Sequence, residues 1–524
     1  MNRTVGRWIV VVGTMVLAGG VVMLSQQPPA TAQTAKAVDE ATVKFYKDEC
    51  AGCHGTDRRG ALGPALIPSR LSALSKEVLF KTIRDGRPGT PMPPFGAKLK
   101  DDQIRSMIAY ITSPVEAEAM KWTIEDMRKS LKVFNKEEDL EKQYPDPVHG
   151  VDINDLMGIV ERENRGFVVV DGRRHKIIKR IQAGYKTHVM NFNPVNPRWA
   201  YIISRDGWVW KLDLYSLKRV RKIRVGLESR GLAISDNGKY VMAGDYIPNQ
   251  AVVLDAKTLE PIRVYETFGI DPDGNPVRSR VADVLDTPFK PYFILALKEA
   301  GHVWVVDWSK EGLPVVADVP NVGRILHDAF LTEPDGRYFM IASQADNLMA
   351  IIDLAKVEAG EHAITTKISA GLKPHPGQGA MWYSEKLGTR LAATPAIGTG
   401  LVTIWDTRDW SVVRQLRVSG PGLFISTHHK AKHVWGDVVF GRNWNDIYVI
   451  DKETLDVVKT IRACDRSVHP EFTYSGRYVY ISCWNGNKVV VYDDRTLKKV
   501  KEITGIITPT GISSVGNRLS IPGG

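Results

Sequence analysis

The segment CAGCHG places Cys50, Cys53 and His54 within five residues of one another. A zinc site with this cysteine spacing would need a second cysteine or histidine pair, which the sequence does not offer nearby. A thiol–disulfide motif would follow a strand, whereas an amphipathic helical stretch, EATVKFYKDE, precedes these cysteines. A C-x-x-C-H motif after a helix is typical of haem attachment, in which each thiol is bound to a vinyl group and the histidine ligates iron. The segment therefore predicts one covalently bound haem c per chain, with His54 as an axial ligand.

A second axial ligand is offered by Met92, which lies about 40 residues further on in the proline-rich stretch GRPGTPMPPFG. Proline keeps this stretch out of a helix, and an amphipathic helix is expected to follow at residues 101–111. A thioether ligand raises the reduction potential of the iron, which suits electron transfer. The helix, haem motif, Met-Pro loop and closing helix together resemble an all-α class I cytochrome c domain, which we assign to residues 34–113.

The first 33 residues have the pattern of an export signal. Arg3 and Arg7 precede an apolar run of about 17 residues, and Ala30 and Ala32 follow it at the spacing typical of signal peptidase sites. The run is at the short limit for a membrane span, so an uncleaved anchor is the less favoured alternative. We expect a signal peptide at residues 1–33, cleavage near Ala32, periplasmic localisation and no stable membrane insertion after cleavage.

The composition is that of a globular protein with more than one domain: the chain has 524 residues, 43% of them hydrophobic, and a net charge of +11. Its lysines and arginines are spread along strand and turn segments without a dense run, so we expect no nucleic-acid partner. A basic surface suits an anionic substrate or an acidic electron-transfer protein instead.

A charged, partly helical linker is expected at residues 114–150, and beyond it the chain repeats one pattern. Each repeat has a β-branched strand, an aspartate, a turn and a second strand, and successive repeats are about 42 to 53 residues apart. The aspartates of the eight repeats are Asp171, Asp213, Asp255, Asp307, Asp353, Asp406, Asp451 and Asp493. Because this period is typical of propeller blades, the sequence predicts an all-β, eight-bladed β-propeller over residues 151–524. We expect each aspartate to cap a hairpin turn.

The function of a propeller depends on the loops that meet at the mouth of its central channel. Three of the twelve histidines, His188, His327 and His375, directly precede strands of different repeats, so they are candidates to meet there. The histidines of THHKAKH, at residues 427–433, could bind a metal, but a polar turn is the simpler interpretation.

Cys464 and Cys483 lie on either side of a strand pattern in the last repeat. They could pair across neighbouring strands or remain free and buried. The sequence does not decide between these alternatives.

A c-type haem domain followed by an eight-bladed propeller resembles the cytochrome cd1 nitrite reductase family, which includes dihydro-haem d1 dehydrogenase, an enzyme of haem d1 maturation. The likeness covers nearly all of the chain after residue 33, and GYKTHV, LHDAFLTEPDGRYFM, KPHPGQGA, SRDGWVWKLD, GLESRGLA and ITPTG carry it. It implies one non-covalent haem d1 per chain, with His188 as proximal iron ligand and His327 and His375 as distal catalytic residues. The other residues that it implies at haem d1 are Arg162, Arg205, Arg230, His469, Thr508 and Thr510.

The resemblance further implies a periplasmic nitrite reductase that reduces nitrite to nitric oxide with one electron delivered through haem c. Two distal imidazoles would supply the protons, and arginines suit the carboxylates of haem d1. The expected partners are a small electron donor, either a cytochrome c or a cupredoxin, and a second copy of the chain in a homodimer. The pair formed by His327 and His375 favours this function.

Dihydro-haem d1 dehydrogenase is the close alternative. His469, in SVHPEF, stands where the reductases carry a glutamine, and a histidine there is typical of the dehydrogenase. That enzyme, however, lacks a counterpart of His327 and carries a tyrosine after the closing PTG, where this chain reads ISSVGN. A second alternative is a non-catalytic propeller that binds a partner, with the cytochrome domain as a redox module.

Overall fold

The computed structural model describes residues 39–523, apart from residues 62, 73, 88–89, 91, 116–119 and 359–361. The signal peptide expected at residues 1–33 lies outside the described residues. Among the residues that are described, no helix has both the length and the apolar character needed to cross a membrane.

The N-terminal region is helical, as the sequence predicted. Its helices bury one apolar face each around Tyr46, Ile104 and Met107, and Ser75 caps the fourth helix by accepting a hydrogen bond from the Val78 N–H at 3.2 Å. The elements are α1 (Glu40–Phe45), a π-helical turn (Tyr46–Cys50), α2 (Ala51–His54), α3 (Pro68–Leu71), α4 (Lys76–Asp85) and α5 (Asp101–Thr112). The last of these confirms the closing helix.

The rest of the chain is a propeller of antiparallel sheets. Its first strands are β1 (Lys132–Val133), β2 (Leu156–Glu161), β3 (Gly166–Asp171), β4 (Lys176–Gln182), β5 (Thr187–Phe192), β6 (Trp199–Ser204), β7 (Trp208–Asp213), β8 (Lys218–Arg224), β9 (Glu228–Ile234), β10 (Tyr240–Ile247), β11 (Gln250–Asp255) and β12 (Pro261–Glu266). A short hairpin follows, with β13 (Phe268–Ile270) and β14 (Pro276–Arg278).

The remaining strands continue the same pattern. They are β15 (Val281–Thr287), β16 (Tyr292–Leu297), β17 (His302–Asp307), β18 (Val315–Val319), β19 (Leu326–Leu331), β20 (Tyr338–Ser343), β21 (Leu348–Asp353), β22 (Ile364–Ser369), β23 (Ala380–Ser384), β24 (Thr389–Pro395), β25 (Leu401–Asp406), β26 (Val412–Arg417), β27 (Ile425–Ser426), β28 (His433–Asp437), β29 (Asp446–Asp451), β30 (Val457–Arg462), β31 (Ser467–Phe472), β32 (Tyr478–Cys483), β33 (Lys488–Asp493), β34 (Lys498–Thr504) and β35 (Pro509–Ser514). Three short helices accompany them: α6 (Ile124–Ser130), α7 (Glu137–Gln143) and α8 (Leu354–Glu358), with α9 (Val515–Arg518) at the end.

These strands form eight blades, which confirms the predicted fold. Blade 1 contains β35, β2, β3 and β4, blades 2 and 3 contain β5–β8 and β9–β12, and blades 4 to 8 contain β15–β18, β19–β22, β23–β26, β27–β30 and β31–β34. Strand β35 comes from the C-terminal end of the chain but pairs with β2, so it closes the ring. The first strands of neighbouring blades contact one another, and these eight inner strands surround the central channel.

The repeated aspartates end the third strand of each blade and cap the turn that follows, as predicted. Asp171 accepts hydrogen bonds from the backbone N–H groups of Arg173 and Arg174 at 2.8 and 3.0 Å. In blade 8, Asp493 accepts two backbone hydrogen bonds in the same way. These carboxylates satisfy turn donors that no strand partner reaches. They are structural groups.

The two late cysteines form a disulfide that the sequence had left open. Cys464 follows β30 and Cys483 ends β32, and their sulfur atoms are bonded. The bond joins two segments of the last two blades, near the closing strand of the ring.

The segment expected as a linker packs against blade 2. Met127 and Leu140 are buried in the core of that blade, and β1 pairs with β8 at its outer edge. Glu137 and Lys211 form a buried ion pair, with 2.8 Å between the Lys211 Nζ and the Glu137 Oε1. Burial raises the pKa of Glu137 and lowers that of Lys211, so each charge depends on the other.

We expect either single change, Glu137→Leu or Lys211→Met, to lower the free energy of unfolding by about 3–5 kcal/mol, because it leaves one buried charge unpaired. The double variant should lose much less, since two apolar side chains need no compensation. Denaturant unfolding of the four proteins checks this. If the loss of unfolding free energy in the double variant equalled the sum of the losses in the two single variants, the two charges would not be coupled.

Candidate functional site

The thiols and imidazole of the haem motif lie at the wall of a deep crevice, at the turn from the π-helical segment into α2. The His54 Nδ1 lies 2.7 Å from the carbonyl oxygen of Pro64, so this nitrogen donates its proton and leaves the Nε2 lone pair for a metal. Burial lowers the pKa of His54, which keeps the ring neutral. Met92 borders the same crevice as Cys50 and Cys53. These side chains fit a haem bound through two thioethers.

The crevice is part of a cavity of about 1290 Å³ that reaches from the helical domain to the propeller. Its propeller wall includes Arg162, Tyr185, Lys186, Arg205 and Tyr246. Lysines and arginines far outnumber the carboxylates along this wall. The cavity is therefore suited to a large ligand with several negative charges.

Contacts between the two domains frame this cavity. Arg70, on the last turn of α3, donates a hydrogen bond to the carbonyl oxygen of Arg205 at 2.9 Å and pairs with Glu228 at 3.4 Å. In the opposite direction, Arg224 donates to the carbonyl oxygens of Arg59 and Gly60 at 2.7 and 3.0 Å. The haem motif is thereby held close to the start of the inner strands of blades 2 and 3.

The predicted residues of the propeller meet because they occupy equivalent places in different blades. His188, Arg230, His327 and His469 lie near the start of the inner strands β5, β9, β19 and β31, and His375 lies a few residues before β23. All inner strands run in the same direction along the channel, so their starts share one mouth. The structure thus brings the candidates together, as expected.

A β-bulge re-aims the side chains at this mouth. In β9, Ser229 and Gly231 face consecutive residues of β10, so Arg230 is one residue extra. In β19 the extra residue is Asp328. Bulges of the same kind occur next to His188 in β5, His469 in β31 and Thr510 in β35. An extra residue bends a strand and turns a side chain that alternation would direct elsewhere.

Two groups at this mouth have no ionic partner, although the Arg162 guanidinium lies over the Trp484 ring, 5.2 Å from its centroid. Within the described part of the chain, no hydrogen bond or ion pair engages the His188 imidazole, and no ion pair engages the Arg162 guanidinium. Burial lowers the pKa of both groups, and it lowers the pKa of Lys186 to about 8. A neutral imidazole beside uncompensated cations fits an iron tetrapyrrole that carries carboxylates.

The two distal candidates form a compact cluster around Asp328. The ring centroids of His327 and His375 are 4.7 Å apart. The Asp328 Oδ1 is 2.7 Å from the His327 Nδ1, and its Oδ2 is 3.2 Å from the His375 Nδ1. Burial lowers the pKa of His327 to about 3. Among the described residues, this cluster alone has a geometry suited to a metal ion, so THHKAKH is not a metal site there.

His469 lies next in the same row. Its ring stacks on Phe424 with centroids 4.3 Å apart, and Phe424 in turn meets the His375 ring at 6.0 Å. The His469 Nδ1 accepts a hydrogen bond from the Ile512 N–H at 3.2 Å, and its Nε2 is 3.8 Å from the Glu471 Oε2. Burial lowers the pKa of His469 to about 3.

The remaining candidates lie around this row. The Arg205 guanidinium pairs with Glu228, and Arg230 is 3.6 Å from Asp328, so both arginines have anionic partners within the protein. Thr508 supports Arg162, because its carbonyl oxygen accepts the Arg162 N–H at 3.1 Å. Thr510 lies in the bulge of β35. Their roles toward a cofactor stay predictions.

The sequence interpretation missed Asp328, Phe424 and Lys186. Asp328 directly follows His327 in LHDAF, and an acidic neighbour of a candidate histidine was a signal that could have revealed it. Lys186 directly precedes the candidate segment of β5. Phe424 had no such signal, because its place beside His469 depends on the contact between blades 7 and 8.

Comparison with known proteins agrees with this geometry. A model described as the cytochrome D1 heme domain matches residues 151–518, and a model of the cbb3-type cytochrome c oxidase subunit III matches residues 37–111. Dihydro-heme d1 dehydrogenase of Pseudomonas aeruginosa is 33% identical over 94% of this chain and 96% of its own length. Nitrite reductase of Stutzerimonas stutzeri is 30% identical over 97% of this chain and 99% of its own length.

A solved structure titled dihydro-heme d1 dehydrogenase NirN in complex with DHE matches with a TM-score of 0.82. It is 32% identical and covers 91% of this chain and 99% of the other. The fold and the site define a two-domain haem protein, in which a cytochrome c domain is joined to an eight-bladed propeller with a ligand site at one mouth. The chain belongs to the cytochrome d1 haem domain family.

We expect Arg162→Leu to weaken the binding of a carboxylated tetrapyrrole by about 10- to 100-fold, because a charge-assisted hydrogen bond contributes about 1.5–3 kcal/mol. The same change should not destabilise the ligand-free protein, since it removes a buried cation without an ion-pair partner. Absorbance titration with haem d1 and thermal unfolding measure the two effects. Arg173→Leu, at a side chain that is 74% exposed, is the matched control. Equal weakening by both changes would contradict a specific contact.

Proposed function

We propose that this chain is a dihydro-haem d1 dehydrogenase, which oxidises a dihydro tetrapyrrole held at the mouth of the propeller. The name of the enzyme defines the chemistry: two electrons and two protons leave the substrate. In this proposal the substrate iron is bound by His188, and the cationic wall that includes Arg162 and Lys186 binds the carboxylates. In this proposal the protein is exported to the periplasm, where the site operates.

The observation that carries this proposal is His469 in the row of site residues. The dehydrogenase alternative rested on a histidine at this position, and His469 borders the site through Phe424, which stacks on it at 4.3 Å. Both the relative with 33% identity and the solved structure with a TM-score of 0.82 have the dehydrogenase function. The comparisons therefore favour this alternative over the nitrite reductase function that the sequence interpretation preferred.

The electrostatics of the site support proton transfer from the substrate to the protein. Dehydrogenation needs bases that are free of protons, whereas nitrite reduction needs groups that already carry them. Burial lowers the pKa of His327 to about 3, so its imidazole is neutral near pH 7 and is in the form that accepts a proton. His469 and Phe424 form the wall that positions the reacting side chain of the substrate.

The cytochrome domain has the role of an electron outlet in this proposal. Haem c, when covalently bound at Cys50 and Cys53, supplies a one-electron carrier. His54 and Met92 would hold its iron, and the cavity that they line also extends to Arg162, Lys186 and Arg205 of the propeller. The two electrons leave one at a time to an external one-electron acceptor, a small periplasmic redox protein such as a cytochrome c or a cupredoxin.

Nitrite reduction is the second candidate, and the paired histidines favour it. His327 and His375 face one carboxylate with ring centroids 4.7 Å apart, and two imidazoles are what the two protons of that reaction need. The relative from Stutzerimonas stutzeri with 30% identity is a nitrite reductase. A homodimer is proposed for either function from the family alone.

The deciding experiment is a single-turnover assay of the protein loaded with haem c and with dihydro-haem d1, mixed with an excess of an oxidised small redox protein as the electron acceptor. We expect its absorbance to convert to that of haem d1, and we expect His469→Ala to slow the conversion by about 100-fold, within the usual range for one positioned group. His429→Ala is the control, because His429 lies on the THHKAKH turn, away from the propeller mouth.

The same preparation, loaded with haem d1 and reduced, should form little nitric oxide from nitrite. Nitric oxide formation that collapses in His327→Ala and His375→Ala would support the second candidate instead. If the protein is purified from a host that makes haem d1 and still shows only a c-type spectrum, both functions are ruled out and a binding module is favoured.

A further inference from the structure

We propose that Asp328 is a positioning residue that holds His327 and His375 in the same tautomer, with both Nδ1 atoms protonated and both Nε2 atoms free to transfer protons. One carboxylate thereby serves two imidazoles. The geometry of this arrangement is independent of the reaction, whereas the use of the pair as proton acceptors rests on the proposed function.

Each oxygen of the carboxylate faces a different histidine. The Asp328 Oδ1 is 2.7 Å from the His327 Nδ1, and the Oδ2 is 3.2 Å from the His375 Nδ1. The bulge in β19 makes this possible, because Asp328 is the extra residue between His327 and Ala329. Regular alternation would put adjacent side chains on opposite faces of the sheet. The bulge lets the adjacent side chains of His327 and Asp328 lie on the same side.

The tautomer of His375 follows from its neighbours. Its Nδ1 lies 2.9 Å from the carbonyl oxygen of Leu423 and 3.2 Å from the Asp328 Oδ2. Both of these are acceptors, so the Nδ1 must carry the proton. In the neutral ring the Nε2 then has the free lone pair.

The His327 Nδ1 lies near both a donor and an acceptor, and the charge of the acceptor decides whether this nitrogen carries the proton. Its Nδ1 is 2.9 Å from the Asp328 N–H and 2.7 Å from the Asp328 Oδ1. A hydrogen bond to an ionised carboxylate is about twice as strong as one between neutral groups, so the Nδ1 donates to the carboxylate. The His327 Nε2 is therefore the free nitrogen as well.

The carboxylate is itself held in place. The Arg230 Nη2 lies 3.6 Å from the Asp328 Oδ1. Asp283 lies close by, but its carboxylate accepts the backbone N–H groups of Val284 and Ala329 at 3.0 and 2.8 Å. Asp283 thus fixes the backbone of β19 beside the bulge without a hydrogen bond to either imidazole.

The arrangement fits a reaction that moves two protons. In the proposed oxidation, two C–H bonds of the substrate break and one C=C bond forms. Each proton forms an N–H bond at the Nε2 of His327 or His375, and the two electrons pass singly through the cytochrome domain to the external redox protein. The Asp328 carboxylate stabilises an imidazolium on either side in turn, as an orienting acid does for a catalytic histidine.

The test is Asp328→Asn in the full chain. An asparagine keeps the shape but replaces one acceptor by a donor. The His375 Nδ1–H keeps the Leu423 carbonyl as an acceptor, so the change falls on His327, whose Nδ1 has the Asp328 N–H as its other neighbour. Selective ¹⁵N-histidine labelling reports the tautomers, and we expect one Nδ1–H signal to be replaced by an Nε2–H signal. Single-turnover oxidation should slow by about 100-fold or more, while the affinity for dihydro-haem d1 falls far less.

The control is Asp335→Asn, at an exposed aspartate on the turn between β19 and β20, which should keep both Nδ1–H signals and most of the rate. The proposal is overturned if Asp328→Asn keeps the tautomers of the parent protein, or if Asp335→Asn causes the same loss. A failure of the proposed function is a separate result: the parent protein would then leave dihydro-haem d1 unoxidised, while the tautomer signals would still report on the role of Asp328.

Discussion

The site depends on one backbone constraint, which is the extra residue near the start of the inner strands. All eight inner strands begin at the same mouth of the channel, but in a regular strand only alternate side chains would turn toward it. The bulges at Arg230 and Asp328, and those beside His188 and His469, change this locally. The second and third strands of every blade pair without a register shift, so the middle of each blade stays regular while the mouth is shaped.

The distribution of charge at the mouth has two parts. Arg205 and Arg230 are paired with Glu228 and Asp328, whereas Arg162 and Lys186 have no carboxylate partner among the described residues. Burying an unpaired cation is unfavourable unless a ligand compensates it. The unfavourable burial of these cations therefore occurs where the carboxylates of a ligand would compensate it. Ligand binding and the stability of the site are coupled in this way.

The two candidate reactions use the same residues in opposite directions. A pair of imidazoles that shares one carboxylate can take up protons or release them, and its protonation before the reaction decides which. The low pKa of His327 leaves its imidazole without a proton before the reaction. The row from His375 through Phe424 to His469 then borders the place where a substrate side chain would lie. The cytochrome crevice opens into a cavity that Arg162 and Lys186 of this mouth also line.

The amino-acid sequence by itself determined the haem motif, Met92, the closing helix at residues 101–111 and the eight blades. These features depend on local spacing and on a repeat length, which a chain carries in one dimension. It also indicated that His188, His327 and His375 could meet at the mouth, because each lies ahead of a strand of its repeat, whereas His469 came from the family resemblance. It did not decide between the two reactions, and its preference for the reductase was not the one that the comparisons favour.

The tertiary structure decided what depends on contacts between distant segments. The bond between Cys464 and Cys483 needs two distant segments to lie side by side. The packing of residues 122–144 on blade 2 includes a buried ion pair between Glu137 and Lys211. Asp328 is the clearest case. Its position after His327 is visible in the sequence, but only the bulge in β19 and the approach of His375 from the next blade put one carboxylate between two imidazoles.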